Sequence, residues 1–133
     1  MILRKLAIIG ALSAILLAPG AQAELSQKYQ KCMDTSNGVT VDMVNCIYAE
    51  SERQDALLNM YYKKLMKGLD PEQAQTLKLA QRAWLKWREA NIDFAASGEG
   101  TMAVLNTAAL ELSMLESRVN ELEQYCGQYL PEY

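Results

Sequence analysis

Two carboxylates five residues apart, Glu50 and Asp55, are the first candidates for chemistry, because paired carboxylic acids can divide acid and base work between them. On a helix that step turns the chain by about 140°, so the two do not face one cleft. The chain has no histidine, which removes Ser-His-Asp and Cys-His catalysis and zinc sites built on imidazole. Three cysteines are too few for a zinc site made of thiolates alone, and no glycine-rich phosphate loop occurs. The expectation is a protein that is not an enzyme and holds no metal and no cofactor. Thirteen basic residues against sixteen acidic ones also make a poor match for a nucleic-acid backbone.

The cysteines acquire meaning from the start of the chain. Met1 to Lys5 is short and basic, Leu6 to Ala18 is apolar, and Pro19 and Gly20 break that run. Ala21 and Ala23 then stand at the −3 and −1 positions, which completes the pattern of a secretory signal peptide over residues 1–23. The apolar run is shorter than the ~20 residues a membrane span needs. Glu24 stands where a lipoprotein would carry its cysteine. Residues 24–133 are therefore expected as one periplasmic or secreted domain with no membrane span. Loss of Arg4 and Lys5 leaves it eleven basic and sixteen acidic groups, a net charge of −5.

Start and stop signals divide this domain into helices. A short helix is expected over Leu25 to Met33, and Asn37-Gly38 reads as a turn. Thr40 is placed as the cap of a helix to Lys67, with Gly68 as a left-handed stop. Asp70 caps the next helix, with Pro71 in its first turn and Gln73 at the capping-box position, and it ends at Ala96. Ser97-Gly98-Glu99-Gly100 is a loop. Thr101 caps a last helix that ends near Cys126, before Gly127.

Apolar spacing supports this division. Val44, Tyr48, Ser51, Asp55, Leu58, Tyr62, Leu65 and Leu69 alternate steps of four and three, as do Leu105, Ala108, Leu112, Leu115, Val119, Leu122 and Cys126. The middle helix offers a broader aromatic face of Leu77, Ala80, Trp84, Trp87, Asn91 and Phe94. The fold class is all-α: an antiparallel bundle of three long helices with a short N-terminal helical arm. The Thr40 end of the first long helix then shares one end of the bundle with the Ser97–Gly100 loop. The Gly68–Asp70 turn shares the other end with Cys126.

That topology separates Cys46 from Cys126 by about 28 Å along the axis, far beyond the ~7 Å between Cα atoms that a disulfide allows. Cys32 folds back onto Cys46 across the Asp34–Val39 turn, so Cys32–Cys46 is the favoured bridge. Cys126 reads as a small buried apolar side chain, with an intermolecular bridge as the alternative.

Asp55 falls where the seam wants an apolar residue. A buried carboxylate requires a partner, and helix counting brings Arg88 and Arg118 near its level. Asp55, Arg88 and Arg118 are thus expected as a buried polar network that sets helix register, with Ser51, Asn59 and Gln81 as further members. Lys63, Lys64 and Lys67 read as a solvated face near a helix C-terminus. Tyr61, Tyr62, Trp84 and Trp87 read as packing.

Cys46, Glu50, Asp55, Leu58-Asn59, Tyr62 and Leu65, followed by Leu77, Ala80-Gln81-Arg82-Ala83-Trp84 and Arg88, resemble the LprI-like lysozyme-inhibitor family. The resemblance spans Cys32 to Leu122. Its sharpest element is Ala-Gln-Arg-Ala-Trp with an arginine four residues on, preceded by the helix of Asp55, Leu58, Asn59 and Tyr62. It implies a small secreted helical domain, and it implies lysozyme inhibition. Family members usually carry a second cysteine pair, and Ile92 and Leu110 stand at those places here.

The implied partner is a protein, a cationic lysozyme toward which long-range charge steers an acidic domain. Ser97, Gly98 and Glu99 are the candidate contact loop, with Asp34–Gly38 at the same end. The alternative is a structural, envelope-stress or toxin-immunity-type protein with another partner.

Overall fold

The structure, a computed structural model, describes residues 24–131. The signal-peptide reading of residues 1–23 lies outside the described residues. Among those described, the fold is all-helical: α1 (Gln27–Thr35), α2 (Thr40–Gly68), α3 (Pro71–Ala96) and α4 (Gly100–Tyr129).

Local signals account for most boundaries. Ser26 caps α1, its hydroxyl accepting from the Tyr29 amide. Asn37 (φ 50°) and Gly38 (φ 76°) then turn the chain through left-handed conformations that asparagine and glycine tolerate. Asp70 caps α3 as the sequence predicts, its Oδ1 accepting from the Glu72 and Gln73 amides at 3.0 and 2.9 Å, with Pro71 at the first helical position.

Other termini differ from the sequence expectation. Thr40 is the first residue of α2, and Val39 occupies the cap without a side-chain bond. Glu99, not Thr101, precedes α4, and Gly100 enters it at φ 81°. Gly68 is no left-handed stop, because the helix includes it and Leu69 leaves in extended conformation. Its lack of a side chain serves close approach instead. A Cβ at Gly68 would lie 2.6 Å from Leu130 Cδ2. The same contact explains why α4 passes through Gly127 and ends at Tyr129: Leu130 packs against the core, which holds the last turn in place.

α2 packs most extensively on α4, in two layers. Leu58 and Leu65 meet Leu115, Val119, Leu122 and Cys126, and Ile47 meets Ala108 and Leu112. Low numbers meet low and high meet high, so these helices run the same way. α3 returns between them: Arg88 reaches Glu111, and Gln81 meets Arg118. α1 lies on α2 and covers the second layer with Leu25, Tyr29 and Met33.

The α4 seam is the one its spacing predicts, with Ala108 to Cys126 buried and Leu105 half-buried. The α2 seam is shifted by one residue at alternate turns. Gln54 is buried where Asp55 was expected, and Asp55 is exposed. Facing an amide inward costs less desolvation than facing a carboxylate inward. On α3 the inner face is Ala74, Leu77, Gln81, Trp84, Arg88 and Asn91, while Trp87 and Phe94, expected in the core, are exposed. α3 buries only Gln81 fully, because inward positions carrying Gln81 and Arg88 cannot pack as closely as leucine. Lys63, Lys64 and Lys67 are exposed, and Ile92 and Leu110 are half-buried.

Candidate functional site

Three polar assemblies stand out, and the first fastens α1 to α2. Cys32 and Cys46 are joined by a disulfide, with Cα atoms 5.7 Å apart. One turn further along α2, Glu50 is buried and accepts from the Ser26 amide (3.0 Å), the Ser26 hydroxyl (2.6 Å), Arg53 Nε (3.0 Å) and Nη2 (2.7 Å), and Gln54 Nε2 (3.3 Å). Arg53 also donates to the Glu24 carbonyl. Burial pushes the Glu50 carboxyl up, and the bonds from Arg53 and Ser26 with the Arg53 charge outweigh it, leaving the pKa below its ordinary value. Burial first, and then the charges of Glu50 and Glu116, raise the Tyr29 phenol.

Glu50 thus uses both carboxylate oxygens to tie the start of α1 to α2. A carboxyl with a depressed folded-state pKa adds stability above its unfolded value and loses it as pH falls through the folded one. Thermal melts should accordingly show stability falling below about pH 4.5. Glu50→Gln should flatten that slope. An unchanged slope in the variant would show that Glu50 does not carry it.

The second assembly surrounds Trp84. The guanidinium carbons of Arg88 and Arg118 lie 5.7 and 5.8 Å from its ring centroid. Arg118 is buried and donates through Nε to Gln81 (3.0 Å) and through Nη1 to Glu121 (2.7 Å). Arg88 pairs with Glu111. Of the expected network, Arg118 and Arg88 are thus brought together across Trp84, and Asp55 is not part of it. Asp55 accepts instead from Asn59 on its own helix, at 3.2 Å. Helix counting does not single out Glu111 and Glu121, the acids that pair with Arg88 and Arg118.

The third assembly is an open groove of about 220 Å³ between α2 and α3. Asp55, Asn59 and Tyr62 form one wall, and Lys78, Arg82, Trp84, Leu85 and Arg88 form the other. Eight of the residues that carry the family resemblance line this groove, of which Leu58 and Gln81 are also buried. Arg88 Nε is buried and has no hydrogen-bond partner among the described residues. Three cations against one carboxylate make the groove locally basic on an acidic chain. Flat aromatic faces, amides and cations of this kind can contact side chains or carboxylates of another molecule.

The loop of Ser97, Gly98 and Glu99 is exposed throughout. Ser97 closes α3 by donating its hydroxyl to the Phe94 carbonyl at 2.6 Å. Met33 at the end of α1 and Leu105 near the start of α4 pack on one cluster, which puts this loop and the Asp34–Gly38 turn at one end. Cys126 is fully buried, 3.9 Å from the Tyr61 carbonyl. Burial foremost raises its thiol pKa, with Lys64 opposing and Glu123 adding. Among the described residues, no helix is long and apolar enough to cross a membrane.

A family model described as lysozyme inhibitor LprI matches residues 32–122. No curated protein and no solved structure matches the chain. The matched segment begins at the bridged Cys32, contains both walls of the α2–α3 groove and ends at Leu122 in the core; the chain belongs to the LprI lysozyme inhibitor family.

Proposed function

We propose that this protein is exported under residues 1–23 and works in the periplasm or outside the cell as a non-enzymatic inhibitor of a lysozyme-type hydrolase. Its frame is a bundle of three long helices run up, down and up, with α1 as a strapped arm. One observation carries the reading: Asp55, Asn59, Tyr62, Arg82, Trp84 and Arg88, six of the residues that give the family resemblance, line an open groove, while Leu58 and Leu65 of the same set fill the core.

The acidic domain is steered to a cationic enzyme by long-range charge. The groove then receives a protruding segment of that enzyme, with Trp84 and Tyr62 as flat contacts. Glu99 in the Ser97–Gly98–Glu99 loop adds an acidic contact at the margin. Arg88 and Ser97 are nine residues apart on α3, about 14 Å, so one interface of ordinary size spans both. Mass spectrometry of periplasmic material should find Glu24 as the first residue.

The direct test is inhibition of lysozyme by the secreted chain and two surface variants. Leu85→Asp, on an exposed groove residue, should weaken inhibition about tenfold or more, the equivalent of about 1.4 kcal/mol. Glu99→Lys should weaken it less, through a slower association rate at low salt. Both should melt like the parent. Full inhibition by Leu85→Asp would remove the groove from the interface. No inhibition by the folded parent would overturn the lysozyme reading itself.

A further inference from the structure

α3 is amphipathic twice over. Its inner face meets α4 and α2, yet Gln81 is its only fully buried residue, against eight on each of α2 and α4. On the opposite side, Leu79, Ala83, Trp87, Ala90 and Phe94 follow one another at steps of four, four, three and four, and all five are exposed. Phe94 is 81% exposed, and Leu79 and Trp87 are each 55% exposed. The stripe runs about 22 Å along the helix. Single exposed apolar residues are ordinary on a surface, but a continuous stripe marks a contact.

The charges beside the stripe say what covers it. Along one edge run Arg82, Lys86, Glu89 and Asp93, all exposed, two basic and then two acidic. Reversed against itself, this edge places Arg82 opposite Asp93 and Lys86 opposite Glu89. Within one residue of that register, a rise of about 1.5 Å, Leu79 comes opposite Phe94 and Ala83 opposite Ala90, with Trp87 meeting its own copy near the two-fold axis. The small residues admit close approach where the large ones do not stand. A parallel pairing would instead set the basic halves against each other and the acidic halves against each other.

We propose that the outer face of α3 is a self-complementary docking surface, and that its occupant is a second copy of this chain, bound antiparallel about Trp87. The contact is isologous, each copy giving the same patch. It gives α3 the second packed face that its own fold leaves it without. Arg82 is shared with the α2–α3 groove, but Trp87, Phe94, Lys86 and Glu89 are not, so substitutions at these four test the dimer apart from the lysozyme reading.

Sedimentation equilibrium on the secreted chain as purified, over a range reaching high micromolar concentration, tests this. A mass twice that of the chain is expected, falling to one on dilution, with non-reducing electrophoresis showing no covalent link through Cys126. Trp87→Glu and Phe94→Asp should each be monomeric, with the parent's helix content and melting temperature. Lys86→Glu should weaken association tenfold or more, and adding Glu89→Lys should restore it. A parent that is monomeric throughout would overturn the proposal. A dimer that survives both apolar substitutions, or a charge exchange that fails to restore association, would do the same. Monomers that bind phosphatidylglycerol vesicles only while Trp87 is present would assign the stripe to a membrane surface and overturn it equally.

Discussion

Replacing Cys32 and Cys46 together by alanine is expected to cost about 3 kcal/mol of stability, the loop-entropy value for a closed loop of about fifteen residues. In a domain of this size that lowers the melting temperature by about 15 °C. The effect is large because α1 has little else to hold it. None of its residues is fully buried. Its attachment consists of the bridge, the Ser26–Glu50 bonds and the half-buried Leu25, Tyr29 and Met33. Amide exchange in α1 should become fast in the variant, while amides around Leu65 and Leu122, which are fully buried, stay protected. An unchanged melting temperature and a protected α1 would show that Glu50 and the apolar contacts suffice without the bridge.

Arg118→Ala should cost about 3–5 kcal/mol, in the range seen when one member of a buried charged set is removed. Arg118 is 6% exposed, and its guanidinium joins Gln81 of α3 to Glu121 of its own helix while lying over Trp84. Truncation leaves the Gln81 oxygen buried without a donor and opens a cavity beside the indole. Arg118→Met fills that space and should recover part of the loss, with the unpaired amide still costing about 1–3 kcal/mol. Asp55→Ala, on an exposed groove residue, should stay within about 0.5 kcal/mol of the parent. Urea titrations of the three variants check the order. A stable Arg118→Ala would move the α3–α4 junction onto Leu77 and Trp84 alone.

These predictions reverse the roles that helix counting assigns. The spacing puts Asp55 in the seam because positions 51, 58 and 65 are shared by two registers, and an alternation of four and three fits either. One register passes through Asp55 and Tyr62, the other through Gln54 and Tyr61. A heptad pattern does not distinguish them when both alternatives are polar at the same turn. The structure takes Gln54 inward, and Glu50, one turn earlier, becomes the buried carboxylate because Ser26 and Arg53 supply its donors. Those donors come partly from a different helix, 24 residues away in sequence.

What the sequence determined by itself is what depends on neighbours along the chain. The Asp70–Pro71 start of α3, the left-handed turn at Asn37-Gly38, the seam of α4 and the Cys32–Cys46 bridge all follow from short-range backbone chemistry, apolar period and loop length. The tertiary structure decided the rest: which way α2 is rotated, which acids meet Arg88 and Arg118, and why Gly68 lies beneath Leu130. It also decided that most of the resemblance-bearing residues line a groove and that Trp87 and Phe94 face outward. A helix of 26 residues presents apolar side chains to more than one direction, and the period gives their angles but not the direction of the core. That direction is chosen only when α4 closes against α2, because the burial gained there exceeds what the mixed inner face of α3 can offer.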